Sequence, residues 1–342
     1  MAYHFKNLVF EGGGVKGIAY IGAMQVFKEK GVLDNIKRVG GTSAGAINAT
    51  MFALGYDIAE QRRILKKMDF NNFMDDSWGM MRDSERLVND FGWYKGDFFH
   101  DWISGLINKK LRSPNATFRD LKAAGRPDLY VYGTNLSTRF GEVFSVEHTP
   151  TTRIADAVRI SMSIPLFFAA FRNIRNDVYV DGGLLNNFPV KLFDRDKYIE
   201  EADRATMGVE PKYYQEENSQ FLKKHPNASR YVYNKETLGF RLDSKQEIGV
   251  FRDGAEPQHA NIADFFDYIK ALIGTVLESQ GNSHLHSDDW QRTIYIDTLG
   301  VGTTDFDLSE TMKTKLEQSG RVGANAYFDW YGKKVSKPAN RP

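Results

Sequence analysis

The chain has 342 residues, and 45 basic residues nearly balance 44 acidic ones, which gives a net charge of +1. A hydrophobic content of 42% is enough for a large core, and the near-zero charge gives no electrostatic basis for binding nucleic acid. The sequence contains no cysteine, which excludes disulfides and thiolate metal sites.

A glycine-rich loop joins the first predicted strand, residues 8–10, to a predicted helix over residues 18–27. The loop contains Gly12, Gly13, Gly14, Lys16 and Gly17. Its glycines leave backbone N–H groups open beside a helix N-terminus, so it can bind a phosphate, a nucleotide or an oxyanion. The spacing favours an oxyanion hole, because the acidic residue of a dinucleotide site and the Lys-Ser/Thr pair of a phosphate loop are missing. A nucleotide loop remains the alternative, and Lys16 either supports the loop by hydrogen bonding or is solvated.

Ser43 lies at the centre of a G-x-S-x-G sequence, between a predicted strand at residues 37–39 and a predicted helix at residues 44–55. This arrangement is typical of a nucleophile elbow, a sharp turn that projects a serine hydroxyl outward. Gly41 and Gly45 suit such a turn because a Cβ at either position would crowd the backbone. Taken alone, the pattern also fits an ordinary glycine-rich turn.

The next predicted elements lead to an aspartate. Residues 56–113 are predicted to be largely helical and amphipathic, and they are followed by strands at 128–135 and 141–145, a helix at 152–161 and a strand at 175–181. That last strand ends in Asp181, which Gly182 and Gly183 follow. A serine nucleophile needs a base to take its proton, and a carboxylate at a strand end can do this. Asp-Gly-Gly is also ordinary turn chemistry.

The C-terminal part alternates again after a polar stretch. Residues 195–235 are rich in charge, and we predict a surface insertion without a core strand. Strands at 237–242 and 293–297, a helix near 260–285 and a helix at 309–331 follow, and residues 332–342 form a frayed tail. Because strands recur after the insertion, we predict a single α/β domain over residues 1–342, with its motifs in 5–195 and its sheet and helices completed by 236–331.

Taken together, the motifs resemble the patatin-like phospholipase family over residues 5–195. The family has a G-G-G-x-[KR]-G oxyanion loop, a G-x-S-x-G elbow and a D-G-[GA] base in this order, which match residues 12–17, 41–45 and 181–183. Two weaker features also match, S-x-S-x-P at 161–165 and N-x-P-[VI] at 187–190. The resemblance implies a three-layer α/β/α fold with a mostly parallel central sheet.

The resemblance also implies a Ser–Asp dyad that works without histidine, metal or cofactor. Ser43 is then the nucleophile and Asp181 the base, and the activity is that of a lipid acyl hydrolase of the phospholipase A or lysophospholipase type. The implied oxyanion donors are Gly12, Gly13, Gly14 and Ala44. The residues that support the motifs are Lys16, Gly17, Gly41, Gly45, Gly182 and Gly183.

Two other classes stay open from the sequence. An acyltransferase related to the acyl-carrier-protein transacylases would pair the serine with a histidine on a separate strand. A Ser–His–Asp esterase would need one of four histidines downstream of Asp181: His225, His259, His284 or His286. The early position of the elbow argues against this esterase, because several strands normally precede it.

We expect the substrate to be reached from water. The N-terminal residues have no apolar region of the kind found in a Sec signal, and the longest apolar run, residues 164–171, is far too short to span a bilayer. These features predict a cytoplasmic protein, or one exported without a Sec signal, that contacts membrane or micellar lipid peripherally. Residues 91–103 and 165–171 fit either an apolar core or an acyl channel. Some family members need an activator, whose identity for this chain the sequence does not specify.

Overall fold

The computed structural model describes residues 3–73, 87, 89–245, 249–250, 254–256, 259, 261–265, 267–269, 271–276 and 288–333. Its strands are β1 (Asn7–Phe10), β2 (Arg38–Thr42), β3 (Gly92–Tyr94), β4 (Asp128–Asn135), β5 (Phe140–Ser145), β6 (Leu166–Phe168), β7 (Phe171–Arg172), β8 (Val178–Asp181), β9 (Gly208–Val209), β10 (Tyr233–Asn234), β11 (Thr237–Asp243) and β12 (Thr293–Asp297). Its α-helices are α1 (Ala19–Glu29), α2 (Ala44–Ala53), α3 (Ile58–Lys67), α4 (Asp97–Leu111), α5 (Phe118–Ala123), α6 (Ile154–Ser161), α7 (Gly183–Asn186), α8 (Arg204–Met207), α9 (Lys212–Lys224) and α10 (Glu310–Lys333).

Eight strands form one central sheet in the order β12-β11-β1-β2-β4-β8-β7, with β5 also paired to β4. The first five strands of this order are parallel to one another, whereas β5 and β8 are antiparallel to β4. The predicted mostly parallel sheet is therefore confirmed. Strands β11 and β12 from the C-terminal third belong to the same sheet as β1 and β2, which carry the motifs.

The alternation of side chains along β1 explains the layers. Leu8 and Phe10 face the large core, where the Phe10 ring stacks on Phe240 at 4.8 Å between centroids and where α1, α2 and α10 pack. Val9 points to the opposite face, into a second cluster with Tyr130, Phe193 and Tyr198. The chain after Asp181 therefore covers this second face, and the α/β/α arrangement in three layers is confirmed.

The polar stretch at 195–235 contains α8, α9 and the short β9–β10 pair, which does not join the central sheet. A buried ionic cluster ties the region around it to the core: Arg292 Nη2 donates to Asp194 Oδ2 at 2.8 Å and to Asp289 Oδ1 at 2.7 Å. Tyr214 of α9 donates its hydroxyl to the same Asp194 oxygen at 2.6 Å. The organisation as one domain with a surface insertion stays a prediction.

Some predicted elements differ from the structure. Within 56–113 the helices α3 and α4 are confirmed, but β3 interrupts the predicted helical stretch. This strand has no periodic signal of its own, because it forms by pairing with the distant β6, where Tyr94 packs on Phe167 at 4.9 Å between ring centroids. Strands β6 and β7 were also not predicted.

Several sequence predictions fall outside the described residues. These are residues 74–86 with Trp78, residues 334–342 of the tail, and His284 and His286. Of the helix expected near 260–285, the described residues 265, 267–269 and 271–276 are helical, whereas residues 261–264 are not. No helix in the described ranges combines the length and the apolar character needed to cross a bilayer.

Candidate active site

The central sheet brings Ser43 and Asp181 together at one point on β4. Strand β2 pairs with the first part of β4 and ends at Thr42, opposite Tyr132. Strand β8 pairs with the next part in the antiparallel direction and ends at Asp181, opposite Gly133. The carboxyl ends of β2 and β8 therefore meet head to head, which places the residue after Thr42 beside Asp181.

Ser43 occupies a strained backbone conformation at the start of α2. Its φ of 53° and ψ of −128° lie in a region that non-glycine residues rarely adopt. The turn is tight on both sides, since a Cβ at Gly41 would lie 2.5 Å from the Gly45 carbonyl carbon and one at Gly45 would lie 2.3 Å from the Phe10 oxygen. This geometry is that of a nucleophile elbow.

Asp181 is a buried carboxylate with few partners. Its Oδ1 accepts a hydrogen bond from the Gly183 N–H at 2.7 Å, while Oδ2 forms no hydrogen bond of standard geometry within the described part of the chain. Burial raises the pKa of the Asp181 carboxyl to about 7, against the lowering effects of the Gly183 N–H and the Ser43 hydroxyl. A carboxyl with this pKa can exchange a proton near neutral pH.

The Ser43 hydroxyl is buried and poorly satisfied. Its Oγ contacts Met162 Sδ at 3.6 Å, which is a weak hydrogen bond. It also lies close enough to Asp181 to lower the carboxyl pKa, although this contact falls outside standard hydrogen-bond geometry. Catalytic hydrogen bonds are often loose before substrate binds, so this geometry is compatible with proton transfer.

The glycine loop passes directly beside the nucleophile. A Cβ at Gly12 would lie 3.0 Å from Ser43 Cβ and 2.3 Å from Asn187 Oδ1. The Gly12 N–H donates to the Asn187 carbonyl at 2.9 Å, so Gly12 is removed from the predicted oxyanion donors and is needed for close approach instead. Within the described residues, the N–H groups of Gly13, Gly14 and Ala44 donate no hydrogen bond.

Among the residues predicted to support the motifs, two glycines allow close packing of the backbone and Lys16 lies beside the loop. Gly17 packs against the start of α2, where an added Cβ would lie 3.2 Å from Ala44 Cβ. Gly182 packs against β4, where an added Cβ would lie 2.3 Å from the Tyr132 carbonyl oxygen. Lys16 contacts the loop through its aliphatic stem, because its Cε lies 3.4 Å from a Cβ built on Gly13. Its ammonium group forms no ion pair or hydrogen bond with the described residues, so support of the loop by hydrogen bonding is not seen.

Sequence analysis did not assign roles to three residues that the structure brings to the site. Met162 contacts the nucleophile, and Ser161 Oγ accepts the Ser43 N–H at 2.8 Å. Asn187 holds the glycine loop in both directions, because its Nδ2 donates to the Gly12 carbonyl at 3.1 Å. The sequence did mark these positions, because Ser161 and Met162 lie in the S-x-S-x-P match and Asn187 begins the N-x-P-[VI] match.

A cavity of about 180 Å³ opens beside Asp181. Its other lining residues are all apolar: Ile164, Pro165, Leu166, Leu184, Leu272, Ile273 and Val276. Of the run at 165–171, Pro165 and Leu166 thus line this cavity, whereas Phe167 and Phe168 belong to the core. A cavity of this size holds a group of about six carbon atoms, by comparison with an apolar cavity of about 150 Å³ that binds benzene.

We expect the Gly12→Ala variant to lose at least about 100-fold in kcat for ester hydrolysis, because displacement of a loop by about 1 Å is enough for such a loss. The added methyl group overlaps Asn187 Oδ1 and touches Ser43 Cβ. Esterase kinetics on a nitrophenyl ester measure this loss. The matched control is Gly105→Ala in α4, where a Cβ meets nothing within 4 Å. It should keep full activity, and an equally active Gly12→Ala protein would contradict the close approach.

Among the described residues, no group of three or more acidic or histidine side chains could hold a metal ion. Two of the histidines have partners away from the dyad: His100 Nε2 bonds to Asp156 Oδ1 at 2.9 Å, and His148 Nδ1 bonds to Ser145 Oγ at 2.8 Å. The described site brings together Ser43, Asp181, unpaired N–H groups and an apolar cavity.

Comparison with known proteins matches the chain to a family. The model of the patatin-like phospholipase family matches residues 8–194. An uncharacterized protein of Acanthamoeba polyphaga mimivirus is 35% identical over 192 residues, which cover 56% of this chain and 62% of that protein. The uncharacterized protein YqhO of Bacillus subtilis is 29% identical over 333 residues, which cover 92% of this chain and 94% of that protein.

The fold is similar to that of a solved structure. The crystal structure of VipD from Legionella pneumophila superposes with a TM-score of 0.59 at 19% identity, over 96% of this chain and 67% of that one. At this identity the likeness concerns the fold alone. The chain spans less than two thirds of the mimivirus protein.

Proposed function

Because the chain belongs to the patatin-like phospholipase family, we propose that it is a serine lipid acyl hydrolase of the phospholipase A or lysophospholipase type. The observation that carries the proposal is the position of Asp181. This carboxylate is next to the Ser43 hydroxyl and is at the same time the one charged group among the described residues that line an apolar cavity. A base placed between a nucleophile and an apolar cavity suits an ester that carries a hydrocarbon chain.

The reaction begins with attack on the ester. Asp181 takes the proton of the Ser43 hydroxyl while Oγ forms a bond to the carbonyl carbon of the ester. The negative charge that develops on the carbonyl oxygen is stabilised by the N–H groups of Gly13, Gly14 and Ala44. The positive end of α2, which begins directly after Ser43, contributes to the same stabilisation.

The acyl-enzyme then turns over with water. When the tetrahedral intermediate collapses, the ester C–O bond breaks and the leaving alcohol or lysolipid takes the proton from Asp181. Asp181 next removes a proton from a water molecule, which attacks the acyl carbon and releases the fatty acid, and the proton returns to Ser43. Charge and atoms balance without a cofactor.

Contact with lipid is proposed to be peripheral and apolar. Leu272, which lines the cavity, is 45% exposed, and Leu185, which follows the cavity residue Leu184, is 45% exposed. These side chains can enter the edge of a bilayer or micelle while the hydrocarbon chain enters the cavity.

The function is tested by incubating the protein with mixed glycerolipids and measuring fatty-acid release by mass spectrometry. We expect release from at least one phospholipid or lysophospholipid class, and the Ser43→Ala protein serves as the blank. The proposal fails if no class is cleaved and a short nitrophenyl ester is not hydrolysed either.

The raised pKa of Asp181 predicts the pH dependence of the reaction. The base must be ionised to accept the serine proton, so kcat/KM on a neutral ester should rise with pH and reach half its maximum near pH 7, the pKa of this carboxyl. Below the midpoint the rate should fall about tenfold per pH unit, as expected for one ionisation. A profile that is flat between pH 5 and pH 8 would contradict the assignment of Asp181 as the base.

A further inference from the structure

We propose that Ser161 is a positioning residue whose hydroxyl fixes the strained backbone of Ser43. Its kinetic consequence rests on the proposed esterase function, but its structural consequence does not. Ser161 is the first residue of the S-x-S-x-P stretch and ends α6, and its side chain is completely buried. It touches the backbone of the nucleophile and not the reacting atoms.

The Ser161 hydroxyl forms two hydrogen bonds, one with the residue that follows β2 and one with β4. It accepts the Ser43 N–H at 2.8 Å and donates its own proton to the Tyr132 carbonyl at 2.6 Å. Tyr132 is the residue of β4 at which the neighbouring strand changes from β2 to β8. One hydroxyl therefore links α6, β4 and the nucleophile at the junction where the dyad is assembled.

The unfavourable backbone conformation of Ser43 explains why this hydrogen bond is needed. A non-glycine residue with the φ of Ser43 costs about 1–3 kcal/mol and persists only when its surroundings hold it. The Ser43 carbonyl is held by α2, since it accepts the N–H of Ala46 at 2.8 Å. The Ser43 N–H, in contrast, depends on Ser161, and this bond also removes that N–H from the set of oxyanion donors.

The segment of residues 161–163 also contacts Asp181. Two residues after Ser161, the Ser163 carbonyl accepts the Asp181 N–H at 2.8 Å. Between them, Met162 Sδ contacts the Ser43 hydroxyl at 3.6 Å. Because one short segment contacts both catalytic residues, a shift of Ser161 changes the position of Ser43 relative to Asp181.

The kinetic test is the Ser161→Ala variant. We expect kcat for nitrophenyl butyrate to fall about 30- to 100-fold, because the nucleophile is displaced. KM should stay within about threefold of the wild type, because the cavity keeps its lining and ground-state binding is unchanged. Ser145→Ala is the matched control: Ser145 is equally buried and its hydroxyl bonds to His148, on the opposite side of β4. It should keep the wild-type kcat.

The structural test does not need catalysis. Hydrogen exchange of the Ser43 amide, followed by NMR, should be slowed at least about 1,000-fold in the wild type and should speed up at least about 30-fold in Ser161→Ala but not in Ser145→Ala. An inactive wild type that shows this exchange pattern would leave the positioning role intact and reject the proposed function.

Two results would overturn the proposal. The first is an unprotected Ser43 amide in the wild type. The second is a Ser161→Ala protein whose kcat is no lower than that of Ser145→Ala.

A second variant keeps the test open if Ser161→Ala does not fold, as judged by circular dichroism. Ser161→Cys then decides, because a thiol is a weak acceptor and donor. A Ser161→Cys kcat between about one tenth and one hundredth of the wild type supports the role, and an unchanged kcat overturns it.

Discussion

Replacing Ser43 with alanine should lower kcat/KM for a short-chain nitrophenyl ester by at least about 1,000-fold, because the variant lacks the hydroxyl that attacks the ester in the proposed reaction. The fold should be unaffected, since alanine keeps the Cβ and the Ser43 hydroxyl has only the weak Met162 contact and the neighbouring carboxylate to lose. Circular dichroism and thermal unfolding check the fold, and initial rates at several substrate concentrations give the kinetic loss.

The loss in Ser43→Ala should be compared with the losses in seven variants, in each of which one histidine is replaced by glutamine. This comparison separates a Ser–Asp from a Ser–His–Asp mechanism. In a Ser–His–Asp enzyme the histidine is the base and its removal is as damaging as removal of the serine. We expect no histidine variant to lose more than about tenfold, roughly 1.4 kcal/mol of barrier. A histidine variant as inactive as Ser43→Ala would reject the Ser–Asp mechanism.

The second large effect is expected for Asp181→Asn. The amide keeps the size of the side chain but cannot accept the serine proton, so kcat/KM should come within about tenfold of the Ser43→Ala value. The Ser43→Ala/Asp181→Asn double variant should be no slower than either single variant, because both remove the same step. Losses that multiply in the double variant would show that the two residues act separately. The matched control is Asp177→Asn, a half-buried carboxylate just before β8, which should keep full activity.

Asp181→Asn should also change stability in the opposite direction to activity. The pKa of this carboxyl is about 7 in the folded protein and 3.8 by its ordinary value. The buried group therefore favours the folded state below pH 3.8, and this contribution is lost as the pH rises towards and through 7. At pH 8 the asparagine variant should be more stable by about 4 kcal/mol, which corresponds to a shift of about three pKa units, and at pH 4 the difference should vanish. Unfolding by urea at the two pH values measures this, and a destabilised variant at pH 8 would contradict the cost of burial.

Several elements of the central domain were predictable because each has a clear local pattern. Strands β4 and β12 have the predicted bounds, and α10 differs by one or two residues at each end. These segments are long and periodic, so local pattern alone determines them. Strands β3, β6 and β7 have two or three residues each, and long-range pairing decides them. No window of the sequence contains that information.

In the candidate site, too, some residues can be predicted from the local sequence and others depend on long-range contacts. Ser43, Asp181 and the glycine loop stand out because turns and strand ends limit the residues that fit there. Ser161 and Asn187 act through hydrogen bonds to backbone atoms more than 100 positions away in the chain. The roles of these two residues depend on where the sheet places β4 and the loop. The sequence could mark them only as part of a family motif.

The place of β1 in the middle of the sheet has a consequence for biosynthesis. This strand precedes the other strands of the sheet in the chain, and its partner β11 lies 230 residues later, as the pair Asn7 and Thr237 shows. At about 5–20 residues per second, the ribosome takes about 10 to 45 s to make that stretch. Until then one edge of β1 stays unpaired, and such an edge is prone to aggregation and needs protection by chaperones. A nascent chain thus carries Ser43 and the glycine loop long before β11 can pair with β1.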